Sequence, residues 1–402
     1  MRIGLSLSGG GFRATVFHLG VLGRLAREGR LEDVAVLSTV SGGSLCAGLI
    51  YACNGLRWPS STELLDKVLP RAYELLTTQD LQSAIIGGVA RLPLRLFHTR
   101  ADDLSRLLQK RWGVTARLAE LPAHPRWMIN ATCYETGRNW RFERSRMGDS
   151  SFGYSTATDL PLSDALAASA AYPGLIGPLV LNTRARSWSL NDDAPLDPPP
   201  YSTLHLWDGG VYDNLGVEGL HSFLGGWAED IDLLIVSDAC GSVGPEPYRS
   251  WRAANRLVTG IMMDQIRSLH FRALLERLVN HGDAVCYLQI GISCAEVLHV
   301  LGKEEQLAHL GAARLSTAEA AAAARMPTDI RRLSPADYAR LFRHGFEVAD
   351  YSLSASLPAA FDCLGSASWP EVTTDPASPD PAQPLQPSLQ VAGGGSRVAK
   401  SV

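Results

Sequence analysis

Apolar and polar positions alternate at Ile3, Leu5 and Leu7, and then the period changes. Alternation predicts a short strand, and Val16, Leu19, Leu22 and Leu25, spaced by three, predict a helix. Gly9, Gly10 and Gly11 lie between them. The unit repeats: an apolar run over Val34–Val40, a turn at Ser41-Gly42-Gly43, and a helix over Ser44–Ala52. Two successive strand–glycine–helix units predict the opening of a parallel sheet. Thr62–Trp112 reads as mostly helical, with arginines interspersed in its apolar part at Ile85–Phe97. Trp127–Tyr134 and Trp140–Phe142 predict a hairpin, and Pro161–Ala171 a helix of small residues. Asn182–Thr203, rich in proline, reads as a loop. The unbroken apolar run Leu233–Ser237 predicts a central strand. A long helix is expected over Arg249–Val279, with Val258, Met262, Ile266 and Leu269 facing the core and its arginines facing solvent. The alanine-rich Ala312–Arg325 is expected to be exposed. Ser334 caps a helix reaching Asp350 that turns Tyr338, Leu341 and Phe342 inward. The folded domain is expected over residues 1–362. A disordered tail follows over 363–402, rich in Pro, Gly and Ser and poor in apolar residues.

Composition narrows the function. A net charge of −4 argues against a nucleic-acid polymer as partner. The seven cysteines are scattered without a C-x-x-C pair, which predicts reduced thiols rather than a disulfide frame or a zinc site. No stretch has 18 consecutive apolar residues, and a strand at Ile3 leaves no room for a signal peptide. The expected location is therefore cytoplasmic.

The candidate chemistry lies at the glycines. A glycine turn opening a helix gathers N–H groups and the positive end of the helix dipole, so it should hold an anion. GGGFRA (9–14) fits a dinucleotide fingerprint, but the acidic residue that fingerprint wants after the second strand is replaced by Ser41. No G-K-[ST] follows, which excludes a Walker loop. The other reading is an oxyanion hole, which requires a nucleophile nearby. Ser41, on a strand–turn–helix, has the setting of a nucleophile elbow, with Thr39 where G-x-S-x-G has its first glycine. Asp208, ahead of Gly209-Gly210, is a carboxylate at a strand end, and Asp213 and Asp238 are rivals for its role. His18 reads as a helix-packing residue.

Taken together, GGGFRA (9–14), TVSGGS (39–44) and DGGVYDNLG (208–216), with ALAASAAYPGLIGPL (165–179) and NATCYETGRNWRFE (130–143), resemble the patatin-like phospholipase family. The resemblance implies a three-layer α/β fold with a mostly parallel central sheet flanked by helices. It implies a lipid acyl hydrolase with a Ser41–Asp208 dyad and no histidine. Gly9, Gly10 and Gly11 would form the oxyanion hole, and Arg13 would support the loop or the substrate phosphate. No cofactor or metal is expected. The expected partner is a membrane phospholipid surface, bound peripherally, with an activator or a second copy of the chain left open. A partner-activated binding protein and a dinucleotide-dependent oxidoreductase remain as alternatives.

Overall fold

The computed structural model describes residues 1–89, 99–156, 158–190, 194–222, 226–227, 231–241, 243–281, 284–309 and 314–365. β1 (Ile3–Leu7) passes through Ser8-Gly9-Gly10 into α1 (Gly11–Arg27), and β2 (Val34–Val40) through Ser41 alone into α2 (Gly42–Cys53). The hairpin forms from β3 (Arg126–Cys133) and β4 (Arg138–Phe142). After it come α3 (Leu162–Ser169), β5 (Thr203–Asp208) and β6 (Leu233–Asp238). Continuous helix α4 runs from Ser250 to His281, with a wider π-type turn over Arg256–Met262. Then come β7 (Val285–Gln289), α5 (Thr317–Ala324) and α6 (Pro335–Ser356).

Among the described residues these strands belong to a twelve-stranded mixed sheet. The neighbours β7, β6, β1, β2 and β3 run parallel in that order, and antiparallel strands continue beyond β3. Helices cover both faces of the parallel part. β1 is therefore buried at every position, its small residues Gly4 and Ser6 as fully as Ile3, Leu5 and Leu7. α1 is buried from Gly11 to Ala26 because α6 lies across its outer side. The two backbones touch there: a Cβ at Gly20 would meet the Phe342 carbonyl oxygen at 2.1 Å. Arg24 and Asp350 close the crossing with a buried 2.7 Å ion pair.

One detail of register positions the site. β2 runs parallel along β3 as far as Val40 opposite Asn130. β5 arrives from the other direction along the same edge and stops with Asp208 opposite Ala131. The two strands thus meet end to end on β3, and the residues leaving them, Ser41 and Asp208, are brought side by side.

Several expectations change. The stripe Val258, Met262 and Leu269 faces solvent, with exposures of 43%, 55% and 59%, because α4 packs through Met263, Leu274 and Phe271 on its opposite side. Its arginines are not a uniformly solvated face, since Arg267 pairs with Asp238 at 2.7 Å and Arg256 with Glu246 at 2.8 Å. The alanine-rich segment forms α5 and is partly covered, with Ala320 and Ala323 fully buried. The proline-rich loop contains two short strands, Trp188–Ser189 and Pro195–Leu196, that lengthen the sheet. Residues 81–89 are helical, and the rest of the Ile85–Phe97 segment, like the tail from residue 366, lies outside the described residues.

Candidate active site

Ser41 links the last residue of β2 to the first of α2 with φ 48° and ψ −115°. A residue with a side chain is strained at positive φ and keeps that geometry only when its surroundings impose it. Here they do. The Ser41 N–H donates to Ser169 Oγ at 3.0 Å, and its carbonyl accepts from Leu45 N–H at 2.9 Å. The Gly43 N–H donates to the Ser8 carbonyl at 3.1 Å. Glycine is required after the serine because the second strand–helix unit presses on the first. A Cβ at Gly42 or Gly43 would lie 2.3 Å from the carbonyl oxygen of Gly11 or Leu7 respectively. Thr39 is accommodated by hydrogen bonding. Its hydroxyl accepts from the Trp127 indole at 2.9 Å and meets Ser44 Oγ at 2.8 Å. Ser44 in turn meets Ser169 Oγ at 2.8 Å. A chain of hydroxyls therefore underlies the elbow.

The glycine loop lies beside it. Gly9 N–H donates to the Asn214 carbonyl at 3.1 Å and so shapes the loop rather than offering a free donor. Gly10 and Gly11 have φ of 141° and 60°, and among the described residues neither N–H donates to a protein acceptor. Arg13 is buried under the loop. Its guanidinium donates to the carbonyls of Met326 at 2.7 Å, Ala239 at 3.1 Å and Ala324 at 3.3 Å, which ties the start of α1 to the ends of β6 and α5. Burial lowers its pKa. Arg13→Ala is expected to strand these carbonyls, at a cost of about 1–3 kcal/mol for each that stays buried and unpaired. Urea denaturation should show the loss, and a variant as stable as wild type would contradict this role.

Asp208 is buried. Its Oδ1 accepts the Gly210 N–H at 2.8 Å, its carbonyl accepts the Thr132 hydroxyl at 2.8 Å, and its N–H donates to the Ala171 carbonyl at 3.2 Å. Residues 169–171, at the end of α3, therefore hold both Ser41 and Asp208. Among the described residues the other oxygen, Oδ2, is buried without a hydrogen-bond partner. Burial drives the carboxyl pKa up to about 7, against the smaller opposing pull of the Gly210 N–H and the Ser41 hydroxyl. The Ser41 hydroxyl is thus close enough to act on the carboxyl.

Both rival carboxylates are fully occupied. Asp213 Oδ1 binds His270 Nδ1 at 2.9 Å and Leu215 N–H at 3.0 Å, and Oδ2 accepts Glu218 N–H at 3.0 Å. Burial raises its pKa, but the His270 and backbone bonds together outweigh that and hold it below the usual range. Asp238 accepts Cys240 N–H at 2.8 Å, Arg267 at 2.7 Å and the Tyr287 hydroxyl. His18 is buried between Ser237 Oγ at 2.7 Å and the Ser8 carbonyl at 2.9 Å, and burial lowers its pKa to about 4. It packs as a neutral ring away from Ser41.

Two recesses meet at Ser41. An open cleft of ≈ 550 Å³ is lined by polar groups including Asp208, Asn214, Asp264 and Arg267. A narrower recess of ≈ 340 Å³ is walled by Leu45, Leu175, Ile176 and Ile330. The arrangement can place an ester carbonyl over the serine with its polar and apolar ends in different surroundings. Among the described residues no histidine lines either recess, and no three His, Cys, Asp or Glu side chains are grouped to hold a metal ion. Asn214 and Ser169, which position the loop and the elbow, did not stand out in the sequence. Their one signal was membership in the segments DGGVYDNLG and ALAASAAYPGLIGPL.

Comparison with known proteins adds three findings. The family described as "Patatin-like phospholipase" matches residues 5–221. No curated protein matches the chain. Among solved structures, human GIVD cytosolic phospholipase A2 is similar with a TM-score of 0.53 at 15% identity, over 89% of this chain and 60% of that one. Its complex with methyl gamma-linolenyl fluorophosphonate and terbium chloride gives 0.51, also at 15% identity, over 89% and 59%. VipD from Legionella pneumophila gives 0.37 at 12% identity, over 88% and 66%. The present chain thus spans about three fifths of the human enzyme's length.

Proposed function

The chain belongs to the patatin-like phospholipase family, a lipid hydrolase at that level, and from this premise we propose that it cleaves fatty-acyl esters of phospholipids through Ser41 and Asp208. The observation that carries the proposal is the pairing of a serine at φ 48° with a buried carboxylate on which the serine hydroxyl acts and whose Oδ2 has no closed hydrogen bond among the described residues.

Ser41 Oγ attacks the ester carbonyl carbon as its proton moves to Asp208. A carboxylate is ordinarily a weak base for a hydroxyl, and a raised pKa makes it a better one. The tetrahedral oxyanion rests on the Gly10 and Gly11 N–H groups, where each donor contributes about 3 kcal/mol to the barrier reduction. The bond from carbon to the alcohol oxygen then breaks, and Asp208 returns the proton to the departing lysolipid. Water attacks the acyl-enzyme, again giving its proton to Asp208, and collapse releases the fatty acid and restores Ser41. Gly9 and Arg13 act at one remove, by fixing the loop.

The test is fatty-acid release from phospholipid vesicles in the presence of a chelator, paired with a fluorophosphonate probe whose adduct is located by mass spectrometry. Release together with an adduct on Ser41 is expected. An adduct on another residue, or neither release nor adduct, would overturn the proposal.

A further inference from the structure

The segment 248–281 carries six arginines against one aspartate and one glutamate, in a chain whose net charge is −4. The same segment shows the densest exposed apolar surface among the described residues. Tyr248 and Trp251 are 83% and 78% exposed, and Leu257, Val258, Ile261, Met262 and Leu269 stand out beside them. Trp251, Val258, Met262 and Leu269 recur at intervals of seven, four and seven, so they share one side of α4. Arg249 and Arg272 are exposed near its two ends. The opposite side is anchored, through Arg267 on Asp238, His270 on Asp213 and Phe271 against Tyr287. On the apolar side Val258, Met262 and Leu269 stand exposed to solvent.

Its position gives this surface meaning. Thr259, Gly260, Met263, Asp264 and Arg267, from the same turns of α4, line the cleft that opens onto Ser41 and Asp208. The exposed Leu257, Val258, Ile261 and Met262 alternate with these lining residues along the rim. A helix with a protruding apolar side and exposed arginines lies in a bilayer interface, its rings and aliphatic groups among the acyl chains and its exposed Arg249 and Arg272 at anionic headgroups. We infer that α4 is the element that seats this protein on an anionic lipid surface, beside the cleft that opens onto Ser41 and Asp208. The inference rests on the hydrolase reading for its purpose but not for its test. A lipid drawn from the membrane would then pass α4 directly on its way to Ser41.

The experiment measures sedimentation of the full chain with vesicles of phosphatidylcholine alone or mixed with phosphatidylglycerol, at low and high salt. Wild type is expected to bind the mixed vesicles and to be released by salt. The variant Val258→Glu/Met262→Glu/Leu269→Glu changes no residue lining the cleft. It is expected to bind about tenfold or more weakly, to lose vesicle hydrolysis in proportion, and to keep wild-type turnover of a soluble short-chain ester. Unchanged ester turnover certifies the fold, and circular dichroism does so independently. Equal vesicle binding by variant and wild type, or no binding by wild type, would overturn the inference. So would a wild-type dimer that the substitutions dissociate, because a second copy would then be the occupant. If wild type binds vesicles through α4 but hydrolyses neither vesicle lipid nor soluble ester, the docking inference stands and the hydrolase reading fails.

Discussion

Asp208→Asn is expected to abolish ester hydrolysis and, at the same time, to make the protein harder to unfold above neutral pH. Both effects follow from the burial that lifts the carboxyl from 3.8 to about 7. In the folded chain the proton is held more tightly than in the unfolded chain. Between these two values the folded state binds more protons, and stability falls as pH rises. Above pH 7 the full penalty is present, on the order of 4 kcal/mol at about 1.4 kcal/mol per unit. Asparagine keeps the acceptor for the Gly210 N–H and carries no charge to desolvate. Urea denaturation at pH 8 should therefore show the variant more stable by a few kcal/mol, with the gap closing toward pH 4. Loss of the base should cost about 10²–10⁴-fold in rate. The wild-type rate on a soluble ester should rise with pH through a midpoint near 7, since only the carboxylate accepts the Ser41 proton. A variant no more stable than wild type at pH 8, or a rate profile flat across neutrality, would refute this account.

Ser41→Ala carries the largest expected loss of activity, about 10⁴-fold or more, because no other oxygen can form the acyl intermediate. The stabilities should be close. The bonds that impose φ 48° use the backbone N–H and carbonyl of residue 41, which alanine retains. The informative comparison is with the double variant. Residues acting as one unit lose their function once, so Ser41→Ala/Asp208→Asn should be no slower than Ser41→Ala alone. A further loss of tenfold or more in the double variant would mean that Asp208 acts on something other than the serine.

The fold's core was legible because its periods are local. Alternation at Ile3–Leu7, glycines at 9–11 and a three-residue apolar spacing leave little choice of element, and β1 and α1 form where those signals place them. That Ser41 and Asp208 each stand where a strand gives way to glycine was legible from turn chemistry. What brings them together was not. It depends on β2 and β5 ending against neighbouring residues of β3, a register that no local signal encodes. The stripe on α4 failed for a related reason. Periodicity shows that Val258, Met262 and Leu269 share a side but not what covers that side, and Met263 and Leu274 took the core instead. Ala320 and Ala323 erred the other way, being small enough to read as surface while filling space under a neighbouring helix.

The glycine contacts around the two opening turns carry a consequence for divergence. A Cβ at Gly11 would lie 2.3 Å from the Asp329 carbonyl oxygen, as one at Gly42 would from that of Gly11. No single substitution can relieve both contacts, because each obstacle is main chain and not a side chain that a second mutation could shorten. The glycine turns beside Ser41 are therefore closed to gradual substitution. The walls around them, Leu175 and Ile176 on one side and the rim of α4 on the other, are side chains rather than main chain. Descendants of this chain would be expected to acquire new substrates by remodelling those walls, while inheriting one unaltered way of cutting the bond.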